Sequence, residues 1–95
     1  MLSSCLKNCM YYVYILKSTI DKTLYIGHTS DLRRRFADHN SGRSIYTKHK
    51  KPWILVYYEA YHNKKDAVSR ERRLKKYKGA YASLKTRIQQ SIDES

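Results

Sequence analysis

Acidic residues are scarce in this chain. Eight Asp and Glu stand against 20 Lys and Arg in 95 residues, a formal charge of +12 at pH 7. Such an imbalance favours a polyanionic partner. Long apolar runs are missing too, and none approaches the roughly 18 residues that a membrane-spanning helix needs. Cysteine is confined to Cys5 and Cys9. Only scattered histidines could complete a four-ligand zinc site with them, so a metal or disulfide framework has little support. A reducing cytoplasm is the expected setting. Leu2-Ser3-Ser4-Cys5 has the outline of a lipoprotein cleavage box, but no charged start or apolar segment precedes it, and no export signal is read there. Glycine and proline are few, three and one, and neither a linker, an internal repeat nor a low-complexity block is present.

What is present suffices for a folded domain. Hydrophobic residues make up 41% of the chain and aromatics 13%, against the composition of a disordered basic tail. A chain of this length builds one modest core, burying roughly 60–65% of its unfolded surface, and leaves no room for a separate specificity domain. Met10 is followed at once by a strand-like run. The expected organisation is therefore a disordered extension over residues 1–9, a single domain over 10–90, and a frayed end over 91–95.

Tyr11 to Leu16 are almost wholly β-branched or aromatic, Ser18 to Thr23 supply turn residues, and Leu24 to Ile26 resume strand character. The pattern is a β-hairpin. Strand side chains alternate with period two, so the separation of eleven residues between Tyr14 and Tyr25 lets both phenols lie opposite or diagonal on one face. Thr29-Ser30-Asp31 then offers cap oxygens for a helix over Leu32 to Asn40, ended by Ser41-Gly42. Leu32 and Phe36 form its apolar stripe, and Arg35 and His39 lie beside it at i, i+4 spacing, while Arg33 and Arg34 fall on the solvent side.

Arg43 to Lys51 form a basic loop, closed by Pro52, that suits phosphate contact. Within it Arg43, Lys48, Lys50 and Lys51 are the candidate cations, and Tyr46 is placed either to stack on a base or contact a phosphate, or to anchor the loop. Trp53 to Tyr61 is a third strand. Asn63 and Asp66 start a helix in capping-box fashion, running to about Tyr77 and ended by Gly79. Its inward face holds Ala67, Val68, Glu71, Leu74 and the stem of Lys75; Arg70, Arg72, Arg73 and Lys76 point outward. A last helix from Ala80 aligns Tyr81, Leu84 and Ile88.

Glu71 in an apolar stripe needs a partner, because an isolated buried charge is costly. An ion pair with Lys75 or Arg35 would answer it, and so would a metal ion. Ten tyrosines cannot all be functional, and Tyr11, Tyr57, Tyr58, Tyr61 and Tyr77 are read as sheet packing or surface cover. Among the histidines, His39 repeats the phase of Arg35, whereas His28, His49 and His62 carry no catalytic signal.

Val13-Tyr14-Ile15, then Tyr25-Ile26-Gly27, then Arg35, then Glu71 within Ala67-Val68-Ser69-Arg70-Glu71-Arg72-Arg73-Leu74-Lys75 resembles the GIY-YIG nuclease superfamily, most of all its small single-domain bacterial members. The likeness runs from about Met10 to Tyr81. It implies an α+β fold, a three-stranded antiparallel sheet flanked by helices. It also implies a nuclease site with Tyr14, Tyr25, Arg35 and Glu71 as catalytic residues and His39 matching a histidine of some restriction-type members. Glu71 would hold a divalent ion, Mg²⁺ or Mn²⁺, and one of the two tyrosines would be the general base. Gly27 matches the motif glycine, and Lys75 joins the basic loop as a nucleic-acid contact. Two positions depart from the pattern: Tyr12 replaces the glycine that opens the family's name, and His28 stands where many members have lysine. The implied activity is hydrolysis of DNA, with RNA as a further substrate class, by a monomer or weak homodimer. A binding module of the same fold with little cutting is the alternative.

Overall fold

The computed structural model describes residues 10–95, so the expected N-terminal extension and both cysteines lie outside the described residues. Strands β1 (Tyr11–Ser18), β2 (Leu24–Thr29) and β3 (Trp53–Tyr61) form one antiparallel sheet in the order β2-β1-β3. Helices are α1 (Leu32–Ser41), α2 (Lys64–Lys76), α3 (Lys78–Arg87) and α4 (Gln89–Asp93), with one 3-10 turn at Lys48–Lys50. The α+β class with a three-stranded antiparallel sheet is as the sequence implies. No helix among the described residues is long and apolar enough to cross a membrane.

The central strand explains the rest of the layering. Val13, Tyr14, Ile15 and Leu16 are each at most 1% exposed, which requires cover on both sheet faces because successive side chains point oppositely. On one face Val13, Ile15 and Ile26 pack with Ala67 and Leu74 of α2 and Leu84 of α3. On the other, Tyr14, Leu16 and Trp53 pack with Tyr25, Leu55, and Leu32 and Phe36 of α1. Each fully buried aliphatic side chain contributes about 1.5–3 kcal/mol, so the two small clusters together hold a single sheet between two helical layers.

Local chemistry sets the helix ends. The Asp31 carboxylate accepts the Arg34 amide at 3.2 Å, and Gly42, at φ +86°, closes α1 in the left-handed conformation that glycine adopts without penalty. Asn63 caps α2 by accepting the Lys65 amide at 2.8 Å. The end of α2 differs from expectation. Tyr77, in extended conformation, stops the helix, and Gly79 lies inside the first turn of α3. Helix α4 runs to Asp93, and buried Lys17 donates to the Ile92 carbonyl at 2.6 Å.

Arg70 also departs from expectation. A helical wheel points it outward, but it turns back over β3 and donates from Nε and Nη2 to the Glu59 carboxylate at 2.9 and 3.0 Å. The Tyr57 hydroxyl donates to the same carboxylate at 2.6 Å, and the Tyr61 hydroxyl joins it. These two tyrosines pack on the core with their rings and hydrogen-bond a half-buried carboxylate, whose charge Arg70 balances, with their tips.

Candidate active site

The hairpin register brings the two motif tyrosines together. Tyr14 pairs with Gly27 and Tyr25 with Leu16, so the phenols are diagonal neighbours on the α1 face, ring centroids 6.4 Å apart. Gly27 is needed for that approach. A Cβ there would meet Tyr14 Oη at 2.5 Å, so only glycine lets the hydroxyl lie over the β2 backbone.

Helix α1 delivers the next two groups one turn apart. The Arg35 guanidinium lies close enough to both tyrosines for each phenol to bear on its charge. Burial works against its charge, yet the two phenols more than compensate and hold it above its ordinary pKa. His39 is fully buried. Its Nε2 lies 2.8 Å from Tyr14 Oη and its Nδ1 2.7 Å from Thr47 Oγ1. Burial, and then the Arg35 charge, drive its pKa down to about 4, so the ring is neutral at pH 7. Tyr14 is pushed up to about 12, first by burial and then by neighbouring Tyr25, with Arg35 opposing.

Glu71 approaches from α2, on the other side of β2. Its Oε1 lies 2.7 Å from His28 Nδ1 and its Oε2 accepts from Lys75 Nζ at 2.9 Å. Burial opposes its charge, but Lys75 and then His28 outweigh it and hold the carboxyl below its usual range. Its negative charge is felt at Tyr14, and Lys75 Nζ sits 5.9 Å from the Tyr25 ring centroid. The carboxylate thus has the lysine partner that the sequence offered and a histidine that carries no catalytic signal in the sequence; Arg35 faces the phenols. His28 and Glu71 are 43 residues apart, and no local pattern links them. Among the described residues no cluster of three or more His, Cys, Asp or Glu could by itself hold a metal ion.

The basic loop is anchored at its root and free at its tip. Trp53 Nε1 donates to the Thr47 carbonyl at 2.9 Å, Ser18 Oγ to the Lys50 carbonyl at 2.7 Å, and Asn40 Nδ2 to the Trp53 carbonyl at 3.0 Å. Arg43, Lys48, Lys50 and Lys51 are exposed, and Tyr46 is 89% exposed, as suits a stacking ring rather than an anchor. Lys50 is drawn to Asp21 at 3.1 Å and Arg43 approaches Asp38 at 3.9 Å. Lys48 and Lys51 form no ion pair among the described residues.

Comparisons with known proteins bear on the family of the chain. The family described as the GIY-YIG catalytic domain matches residues 10–87. The UPF0213 protein SpyM3_1077 of Streptococcus pyogenes serotype M3 is 46% identical over 68 residues, covering 70% of this chain and 73% of that protein. The UPF0213 protein SpyM50708 of serotype M5 matches to the same extent. The solution NMR structure of the UPF0213 protein BH0048 from Bacillus halodurans is 36% identical, covers 80% of this chain and 85% of its own, and superposes with a TM-score of 0.48. A nuclease domain implies a nucleic-acid partner, in keeping with the charge. With four of its motif residues gathered about one strand pair and its family profile spanning most of its length, the chain is a small single-domain member of the GIY-YIG superfamily.

Proposed function

We propose that this protein is a divalent-metal-dependent endonuclease that hydrolyses DNA phosphodiester bonds with little sequence preference. The observation that carries the reading is the convergence of Tyr14, Tyr25 and His39 with the one guanidinium, Arg35, that faces both phenols. Arg35 neutralises charge building on the attacked phosphate, a role whose removal typically costs a factor of about 10² to 10³. Tyr14 or Tyr25 takes the proton of the attacking water; burial raises the Tyr14 pKa to about 12, and Arg35, with cations that arrive with the substrate, opposes that shift toward the phenolate that this requires. Gly27 lets the substrate backbone come near, while Arg43, Tyr46, Lys48, Lys50, Lys51 and Lys75 track the polyanion.

Glu71 is the residue that would hold Mg²⁺ or Mn²⁺. The donor set fits a one-carboxylate site completed by waters and phosphate oxygens, the habit of magnesium. Lys75, whose side chain is 51% exposed, can swing aside to free Oε2. Such an ion, when bound, supplies positive charge at the leaving 3′ oxygen. A single site cuts a single strand, so one domain nicks. Branched or damaged DNA, as met in repair or recombination in the cytoplasm, suits a nuclease with little sequence preference.

The test is incubation with supercoiled plasmid, branched DNA and RNA, with Mg²⁺ or chelator, beside Arg35→Ala and Glu71→Ala. Metal-dependent nicking that disappears in both variants, with DNA binding retained, is the expected result. Binding without cutting would make the chain a nucleic-acid-binding module, and cutting that survives both substitutions would refute the site.

A further inference from the structure

Thr47, the residue before the 3-10 turn of the basic loop, is 1% exposed. Its backbone is fully engaged: the amide donates to the Ser44 carbonyl at 3.2 Å, and the carbonyl accepts from the Lys50 amide at 3.1 Å and from Trp53 Nε1. Its hydroxyl has one partner among the described residues, His39 Nδ1 at 2.7 Å. A hydroxyl brings one proton and two lone pairs, and a buried proton without an acceptor costs more than an unfilled lone pair.

That inventory decides which ring nitrogen carries hydrogen. Were Nδ1 protonated, Thr47 would accept from it and bury its own O–H with nothing to donate to. With Nδ1 bare, the Thr47 O–H donates to it and no proton is orphaned. The ring is neutral, so its single hydrogen lies on Nε2, which then donates to Tyr14 Oη across the 2.8 Å contact. The Arg35 charge bears on the same phenol. The phenol is thereby the acceptor in that contact, and its own hydrogen is left free of the ring.

We infer that Thr47 is a positioning residue that sets His39 as an Nε2–H donor to Tyr14, so that the imidazole stabilises the phenolate form of Tyr14 and does not act as the base that removes its proton. The catalytic half of this inference rests on the nuclease reading above; the tautomer does not. The charged and titratable groups facing the Tyr14–His39 pair are Arg35 and Asp38 from α1, Tyr25 from β2 and Glu71 from α2.

Long-range ¹H–¹⁵N correlation spectra of the histidine-labelled protein test it directly. The expected pattern for His39 is a protonated, pyrrole-type Nε2 and a bare, pyridine-type Nδ1. The reverse pattern overturns the inference whether or not the protein cuts DNA, and the expected pattern in a protein that does not cut sinks the nuclease reading alone. Thr47→Val should mix the tautomers, move the pH profile of nicking upward and slow it roughly tenfold or more with DNA affinity unchanged, as loss of a supporting hydrogen bond does. Thr47→Ser should restore the spectrum and the profile. A Val variant with the wild-type spectrum and profile, or a Ser variant without them, overturns the role given to Thr47; should the Val variant not fold, the wild-type and Ser spectra still decide.

Discussion

The hydroxyl of Tyr14 occupies the space that a side chain on Gly27 would need. A Cβ at Gly27 would lie 2.5 Å from Tyr14 Oη and 2.6 Å from its Cζ, and the ring, held by Leu16 and Trp53, has no room to retreat. Gly27→Ala is expected to displace the phenol from His39, lower stability by about 1–3 kcal/mol through overpacking, and cut nicking by well over tenfold. Thermal unfolding and plasmid nicking measured side by side check it; an alanine variant with wild-type activity would mean that the phenol need not lie there.

Arg35 discriminates between charge and shape. Arg35→Lys keeps the charge but loses the planar fork that reaches two phenols at once, so it should recover little of the roughly 10²–10³-fold loss expected for Arg35→Ala. Single-turnover cleavage rates at saturating DNA give the comparison. Full rescue by lysine would assign the residue to binding alone.

The Glu59–Arg70 cluster predicts an acid limb. Burial opposes the Glu59 charge, but Arg70, Tyr57 and Tyr61 outweigh it and lower its pKa. A carboxyl whose folded pKa is depressed contributes stability that is present above its unfolded value, about 4.3, and lost as pH falls through the folded one. Arg70→Met should cost about 1–3 kcal/mol at pH 7, the side chains being part-exposed at 26% and 14%, and should flatten that acid limb. Urea unfolding at pH 7 and pH 3 measures both.

Gly79 lies in the first turn of α3, where an added Cβ would meet nothing within 4 Å and no positive φ stands in its way. Gly79→Ala is therefore expected to stabilise by about 0.5–1 kcal/mol, read from the unfolding midpoint at unchanged nicking activity.

Salt should weaken DNA binding steeply. If about six phosphates are neutralised, log Kd should vary with log salt with a slope of magnitude near 5. Lys48→Ala or Lys51→Ala should each reduce the slope by about one. Lys50→Ala should do less, because Asp21 already holds that ammonium. A slope near zero would remove the basic loop from the interface.

Much of the site is legible before folding because two periodicities suffice for it. Period two puts Tyr14 and Tyr25 on one face, and the 3.6-residue turn singles out Arg35 from the run Arg33-Arg34-Arg35 and aligns His39 with it. What the chain hides are the pairings between elements. Arg70 looks solvent-facing on a wheel because the wheel does not know that β3 presents Glu59 to it. His28 carries no signal of its own, since its meaning comes from Glu71 on a helix 43 residues away. Thr47 sits in a loop with no period at all. Gly79 misleads for a different reason: the usual stop signal is present, but the chain turns two residues earlier, at Tyr77.

Because β1 is paired along both of its edges and covered above and below, Tyr14 belongs to the segment whose amides should exchange with solvent only on complete unfolding. The cations proposed to meet the polyanion ride on a loop and on helix surfaces, where opening is cheap. On the proposed function, substrate capture and bond cleavage fall to the softest and the stiffest parts of one small molecule, and heating should blunt the first well before it dismantles the second.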